Sequence, residues 1–85
     1  MPTPTEIAIR DFLLSEVLYD RALADLPVDE NLIDRGLLDS LGLQRMVTFC
    51  EEQFGVAIPD TEVLPDNMES VAAMARLVER VRART

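Results

Sequence analysis

Apolar positions near the start of the chain recur at Ile9, Leu13 and Val17, four residues apart, which marks one face of an amphipathic helix. Pro2 and Pro4 prevent a helix from running in from upstream, and Thr5 offers a cap, so a first helix is expected over about 5–19. Residues 20–39 hold no sustained period and are broken by Pro27 and Gly36. Leu32, Ile33, Leu37 and Leu38 turn part of this long connection toward a core. A second helical stripe follows at Leu43, Met46, Val47, Cys50 and Phe54. Asp39 and Ser40 are both candidate N-caps for it, and Gly55 suits a left-handed stop, which places the second helix at about 40–54. Val56 and Ile58 bring the chain back inward, Pro59 opens a short third helix at about 60–64, and Pro65 ends it. Asn67 or Ser70 caps a last helix at about 70–82, whose apolar face is Val71, Met74, Ala75, Val78 and Val81. No strand pattern and no repeat appear. The pattern predicts one all-α domain over 1–85, with three main helices, a short third helix and a long loop after the first.

Composition narrows the function classes. Apolar residues make up 48% of the 85, enough for one packed core. Histidine is absent and cysteine is single, which removes the commonest general base, a cysteine-built zinc site and an internal disulfide. Asp60, Glu62 and Asp66 are spaced too loosely for a calcium loop, so no metal site is expected. A self-sufficient enzyme is therefore not expected. No apolar run is long enough to cross a membrane, and no charged and apolar leader opens the chain, so the expected location is the cytoplasm.

Charge points to partners. The formal net charge is −8, with all eight bases arginine, so nucleic acid and anionic membranes are disfavoured and basic protein patches favoured. Arg76, Arg80, Arg82 and Arg84 gather near the end of the last helix, where the dipole favours cations. A charged monomer is the expected state.

The informative stretch is Leu38-Asp39-Ser40-Leu41. A serine at the start of a helix lies among free N–H groups and the positive end of the dipole, and both favour an anion such as a phosphate on its hydroxyl. On these residues alone a plain alternative stays open, with Asp39 as an N-cap and Ser40 as an ordinary first-turn residue.

Four further pieces surround that stretch in order: the apolar approach to Gly36, Glu51-Glu52-Gln53-Phe54-Gly55 at the end of the second helix, Ile58-Pro59, and Met68-Glu69-Ser70-Val71. Together they resemble the acyl carrier protein family, over about 60 residues. The motif Gly36-Leu37-Leu38-Asp39-Ser40 is nearer the D-alanyl carrier type than the fatty-acid type. The resemblance implies an acyl-carrier-like four-helix bundle. It implies that 4′-phosphopantetheine is attached covalently at Ser40 by a separate phosphopantetheinyl transferase, which Asp39 helps to engage. It also implies an acyl or aminoacyl thioester on the arm, and an effect on rate through proximity. The pathway expected is a specialised one of polyketide, nonribosomal peptide or antibiotic type. Its partners would be an acyl- or aminoacyl-loading ligase and an acyltransferase, ketosynthase or condensation-type enzyme. A D-alanyl carrier for cell-envelope polymers and a non-carrier acidic docking module are the alternatives.

The face expected to meet partners is Leu41, Gln44, Arg45, Thr48, Glu51 and Glu52. Fatty-acid carriers are heavily acidic along this face, whereas here Gly42, Gln44, Arg45 and Thr48 replace the early acids. Arg45 can then pair with an acid on a dedicated partner. Leu43, Val47, Phe54 and Ile58 lie where the family shelters cargo, with core packing as their default role. Cys50, on the apolar stripe, is expected to be buried and inert, and Met46, Met68 and Met74 to fill the core. Phe49 is off the main stripe and is expected to close the underside of the helix or meet a partner.

Overall fold

The computed structural model describes residues 1–19 and 26–84. The first part of the long connection, residues 20–25, therefore lies outside the described residues. Among the described residues all regular structure is helical: α1 (Pro4–Phe12), α2 (Ser40–Phe54), the short α3 (Pro65–Met68) and α4 (Val71–Arg84). The all-α class and the acyl-carrier-like order of helices match expectation.

α1 begins at Pro4, one residue before the expected start. Thr3, not Thr5, is the cap: its hydroxyl accepts from the Glu6 N–H at 3.1 Å, and Glu6 Oε1 accepts from the Thr3 N–H at 2.8 Å. The reason is Pro4. Proline is favoured at the first helical position, which hands the cap to the residue before it. Thr5 is instead buried, and its hydroxyl donates to Glu79 Oε2 on α4 at 3.1 Å.

The end of α1 also departs from the simple period. Leu13–Val17 form a π turn, closed by the Leu18 N–H donating to the Leu13 carbonyl at 2.8 Å. The Ser15 hydroxyl donates to the Asp11 carbonyl at 2.8 Å, a contact that competes with the regular ladder. The extra residue in the turn rotates the register. Ile9, Leu13 and Leu18 enter the core, and Val17, expected there, is only half-buried.

α2 spans the expected residues. Asp39 is its cap and Gly55 its left-handed stop, with φ 65° and the Gly55 N–H donating to the Glu51 carbonyl. Gly42 is needed for close approach: a Cβ there would lie 2.9 Å from Leu38 Cδ2 and 3.6 Å from Val17 Cγ1. The short third helix is a correction. A 3-10 turn occupies only Asp60–Glu62, and Pro65 starts α3 where it was expected to stop a helix. Proline blocks a helix arriving from upstream yet suits the first position of a new one.

The described part of the long loop is tied to the α3–α4 junction through its backbone. The Leu32 N–H donates to the Glu69 carbonyl at 2.6 Å, and the Val28 carbonyl accepts from the Ala72 N–H at 2.8 Å. Ser70, rather than Asn67, caps α4, accepting from the Ala73 N–H at 3.1 Å. Leu26, Leu32 and Leu38 bury their side chains. These anchors fix where Asp39 and Ser40 begin α2. The core is centred on α4, which buries Val71, Met74, Leu77, Val78 and Val81 against Ile9, Leu13, Met46 and Met68. No described helix is long and apolar enough to cross a membrane.

Candidate functional site

The site is built on the first turn of α2. Asp39 has extended backbone angles, φ −106° and ψ −173°, and its carboxylate accepts from the Gly42 N–H at 2.8 Å. The Leu43 N–H is taken by the Asp39 carbonyl at 2.9 Å. The N–H groups of Ser40 and Leu41, at the first two helical positions, have no acceptor within the helix. Ser40 is exposed. Its hydroxyl therefore stands in water at the positive end of a 15-residue helix, where negative charge is stabilised by the dipole. The sequence holds no histidine to activate that hydroxyl, and no described cluster of acids and cysteine is disposed to hold a metal ion.

Two clefts lie along the N-terminal half of α2, and Leu41 and Arg45 line both. The pair are four residues apart, stacked on one helix face. Leu41 is 70% exposed. One cleft, of about 250 Å³, lies along α2 and α1, where Gln44, Thr48 and Glu52 meet Phe12 and Phe49. The two phenylalanines stack at 4.1 Å with their planes 16° apart, and Phe54 meets Phe49 edge-on at 6.1 Å. Five of the six residues read as a partner face thus line a single cleft. Glu51 is placed elsewhere: it is half-buried, and its Oε2 accepts from the Ile58 N–H at 2.9 Å, fastening the segment after α2.

The other cleft, of about 240 Å³, lies between the end of the π turn and the start of α2. Val17, Leu18 and Tyr19 form its α1 side, and Leu37 and Asp39 come from the loop. Spacing along α2 gave no sign of either wall, because Phe12 and Val17 to Tyr19 come from a different helix.

The residues read as a cargo shelter are packed. Val47 and Ile58 are buried in the core, and Leu43 and Phe54 are half-buried against it. The Arg82 guanidinium sits 5.5 Å from the centre of the Phe54 ring, a cation–π contact. Cys50 is buried as expected, and burial together with the neighbouring Glu51 charge pushes its thiol up to about 12. At the far end of α4, Arg84 hydrogen-bonds Glu62 and, with nearby Arg80, holds its carboxyl below the usual range.

Comparison with known proteins gives the arrangement a relative. The family described as a phosphopantetheine attachment site matches residues 11–78. A D-alanyl carrier protein of Abiotrophia defectiva is 40% identical over 72 residues, covering 84% of this chain and 90% of that protein. Aminoacyl carrier protein 2 of Bradyrhizobium diazoefficiens is 33% identical over 78 residues, covering 87% and 86%. A D-alanyl carrier protein of Streptococcus pyogenes is 33% identical over 54 residues.

Proposed function

We propose, for a chain that belongs to the phosphopantetheine-attachment family of carrier proteins, that its arm is joined to Ser40 and that its cargo is an aminoacyl group. As a member of that family it is a carrier and not itself a catalyst, and its cofactor is covalent 4′-phosphopantetheine. Such carriers work with a phosphopantetheinyl transferase and with enzymes that load and unload the arm.

The exposed hydroxyl of Ser40, one residue after a capping Asp39, is the observation that supports the attachment point. In the transfer, Ser40 Oγ bonds to the phosphorus nearest the pantetheine of coenzyme A. The pyrophosphate P–O bond breaks, adenosine 3′,5′-bisphosphate leaves, and the hydroxyl proton passes to the transferase. The first turn of α2 then faces the phosphodiester charge with unpaired N–H groups. Asp39, its carboxylate held by the Gly42 N–H, is the residue next to Ser40 that engages the transferase. Once attached, the arm supplies a terminal thiol that holds cargo as a thioester. The bundle contributes position, raising the local concentration of cargo at each partner.

Two relatives bear the names of D-alanyl and aminoacyl carriers, which favours an amino-acid-derived cargo over a polyketide-type acyl chain. The packed state of Val47 and Ile58 agrees, since a small polar cargo needs no apolar tunnel. The partners proposed are an aminoacyl-loading ligase and a condensation-type or acyltransferase enzyme, acting on a cytoplasmic monomer in a specialised assembly or an envelope-polymer pathway. Leu41, Gln44, Arg45, Thr48 and Glu52 form the docking face, with Phe12 and Phe49 as its apolar floor.

The test is incubation with coenzyme A and a broad-specificity transferase, followed by mass spectrometry. One phosphopantetheine is expected on the native chain and none on Ser40→Ala. Equal modification of both, or of neither, would end the reading. Loading of the modified protein with D-alanine, other amino acids and simple carboxylic acids then separates the cargo classes.

A further inference from the structure

We infer that the cleft between the π turn of α1 and the start of α2 is a docking site for the phosphopantetheine arm of this same chain. The inference rests on Ser40 as the attachment point. It concerns the side of α2 away from the expected cargo shelter of Leu43, Val47, Phe54 and Ile58.

The first support is position. Ser40 is exposed and its two neighbours, Asp39 and Leu41, both line the cleft, so an arm leaving Ser40 starts next to it. A tethered group reaches its site at an effective concentration on the order of mM, so even a weak site is occupied. The second support is chemistry. Pantetheine combines amides and a hydroxyl with a branched hydrocarbon segment and begins in a phosphodiester. The cleft offers Arg45, the single positive charge of α2, and the phenol of Tyr19, beside the apolar Val17, Leu37 and Leu41. Arginine is suited to phosphate and amide oxygens, and the apolar groups suit the branched segment. The third support is size. About 240 Å³ is below the range of roughly 300–1,000 Å³ typical for a drug-sized ligand, which fits a stretch of the arm and leaves the thiol end outside.

The site also ties the arm to partner binding. Leu41 and Arg45 belong equally to the neighbouring cleft on the docking face. A partner that engages them withdraws part of the arm's site, so docking and release of the arm are coupled through two shared side chains.

The sequence supplies its own reporter. Tyr19 is the single tyrosine of a chain without tryptophan, so tyrosine emission reads this cleft alone. Acrylamide quenching of Tyr19 is measured before and after modification, with the attached mass confirmed on the same sample. A site with an affinity of about 1 mM would be about half occupied, so quenching in the modified protein should fall by roughly a third to a half. Amide resonances of Leu18 and Tyr19, far in sequence from Ser40, should shift on modification. Ser40→Ala carried through the same incubation should keep the unmodified quenching.

A modified protein with unchanged Tyr19 quenching, and with shifts confined to residues 39–42, overturns the docking site while leaving attachment at Ser40 intact. Failure to add the mass defeats the attachment reading, and the docking site with it.

Discussion

The carboxylate of Asp39 accepts from the N–H of Gly42 at 2.8 Å, and that bond fixes where α2 begins, with Ser40 exposed in its first turn. Capping is one role of this side chain and transferase recognition is the proposed other, and substitution can part them. Asp39→Ala removes the cap and should cost about 1 kcal/mol, lowering Tm by roughly 4–8 °C in a domain of this size. Asp39→Asn keeps a capping oxygen and should hold Tm within a degree or two, since the two residues cap about equally well. The Asn variant should nevertheless be modified by the transferase far more slowly than the native chain, because it lacks the charge. Thermal melts paired with timed mass spectra decide this; full-speed modification of Asp39→Asn would confine Asp39 to a structural role.

Cys50 makes the arm's thiol distinguishable. Its side chain is buried in the core and its thiol is pushed up to about 12, mainly by desolvation. At pH 8 a thiol reagent should therefore find no reactive group in the folded, unmodified protein. It should find one per molecule after modification, and a second only in denaturant. The same burial sets a pH dependence. Above the ordinary thiol value of 9.0 the unfolded chain loses this proton and the folded chain keeps it. The unfolded state then binds fewer protons, so this contribution to stability falls as pH rises between about 9 and about 12. Denaturant titrations of native protein and Cys50→Ala across that range should show the difference narrowing.

Glu62 behaves oppositely. Its hydrogen bond to Arg84, aided by Arg80, lowers its folded value, so the stabilisation is present at neutral pH and lost as pH falls through that lowered value. The pair is exposed at the Arg84 end, so the effect on stability is small and screened by salt. The sharper measurement is the carboxyl resonance of Glu62. It should titrate below the usual glutamate range in the native protein and move back toward it in Arg84→Ala. An unmoved midpoint would remove the ion pair from the folded state in solution.

The contrast between α2 and its surroundings shows what the sequence carries. α2 was legible because its signals are local: Asp39 or Ser40 as a cap, of which the structure takes Asp39, a continuous stripe and Gly55. The end of α1 was not, since Ile9, Leu13 and Val17 satisfy a regular period by themselves. Packing and the bond from the Ser15 hydroxyl to the Asp11 carbonyl accompany the π turn that buries Leu18 instead. Pro65 carries two opposite instructions, stop and start, and the chain on either side chooses between them. The proposed role of Ser40 as an attachment point rests on the resemblance carried by the surrounding stretches, while its place in the first turn of α2 was legible for the same local reason as the helix. The walls of the two clefts were not, because Phe12, Tyr19 and Leu37 arrive from other elements, and spacing along one helix holds no record of them. Glu51 shares a helix with Glu52 and the same chemistry, yet it is drawn aside by the Ile58 N–H, a partner set by the turn after Gly55.

Arg45 tests whether the docking face recognises a dedicated partner. It is exposed on a chain of net charge −8, on the ridge it forms with Leu41 between the clefts. A positive charge there selects partners that place an acid opposite and penalises those adapted to a uniformly acidic helix. Arg45→Glu should therefore raise KM for the protein's own loading ligase by about tenfold, equivalent to about 1.4 kcal/mol, with kcat little changed. Rising salt should weaken native loading and shrink the gap to Arg45→Glu, because the contact is screened at the rim of an interface. Gln44→Ala, on the same face but uncharged, should show neither effect. The measurement is the rate of aminoacyl attachment by mass spectrometry across carrier concentration and ionic strength. Native-like loading of Arg45→Glu at low salt would show that partners read shape alone along α2.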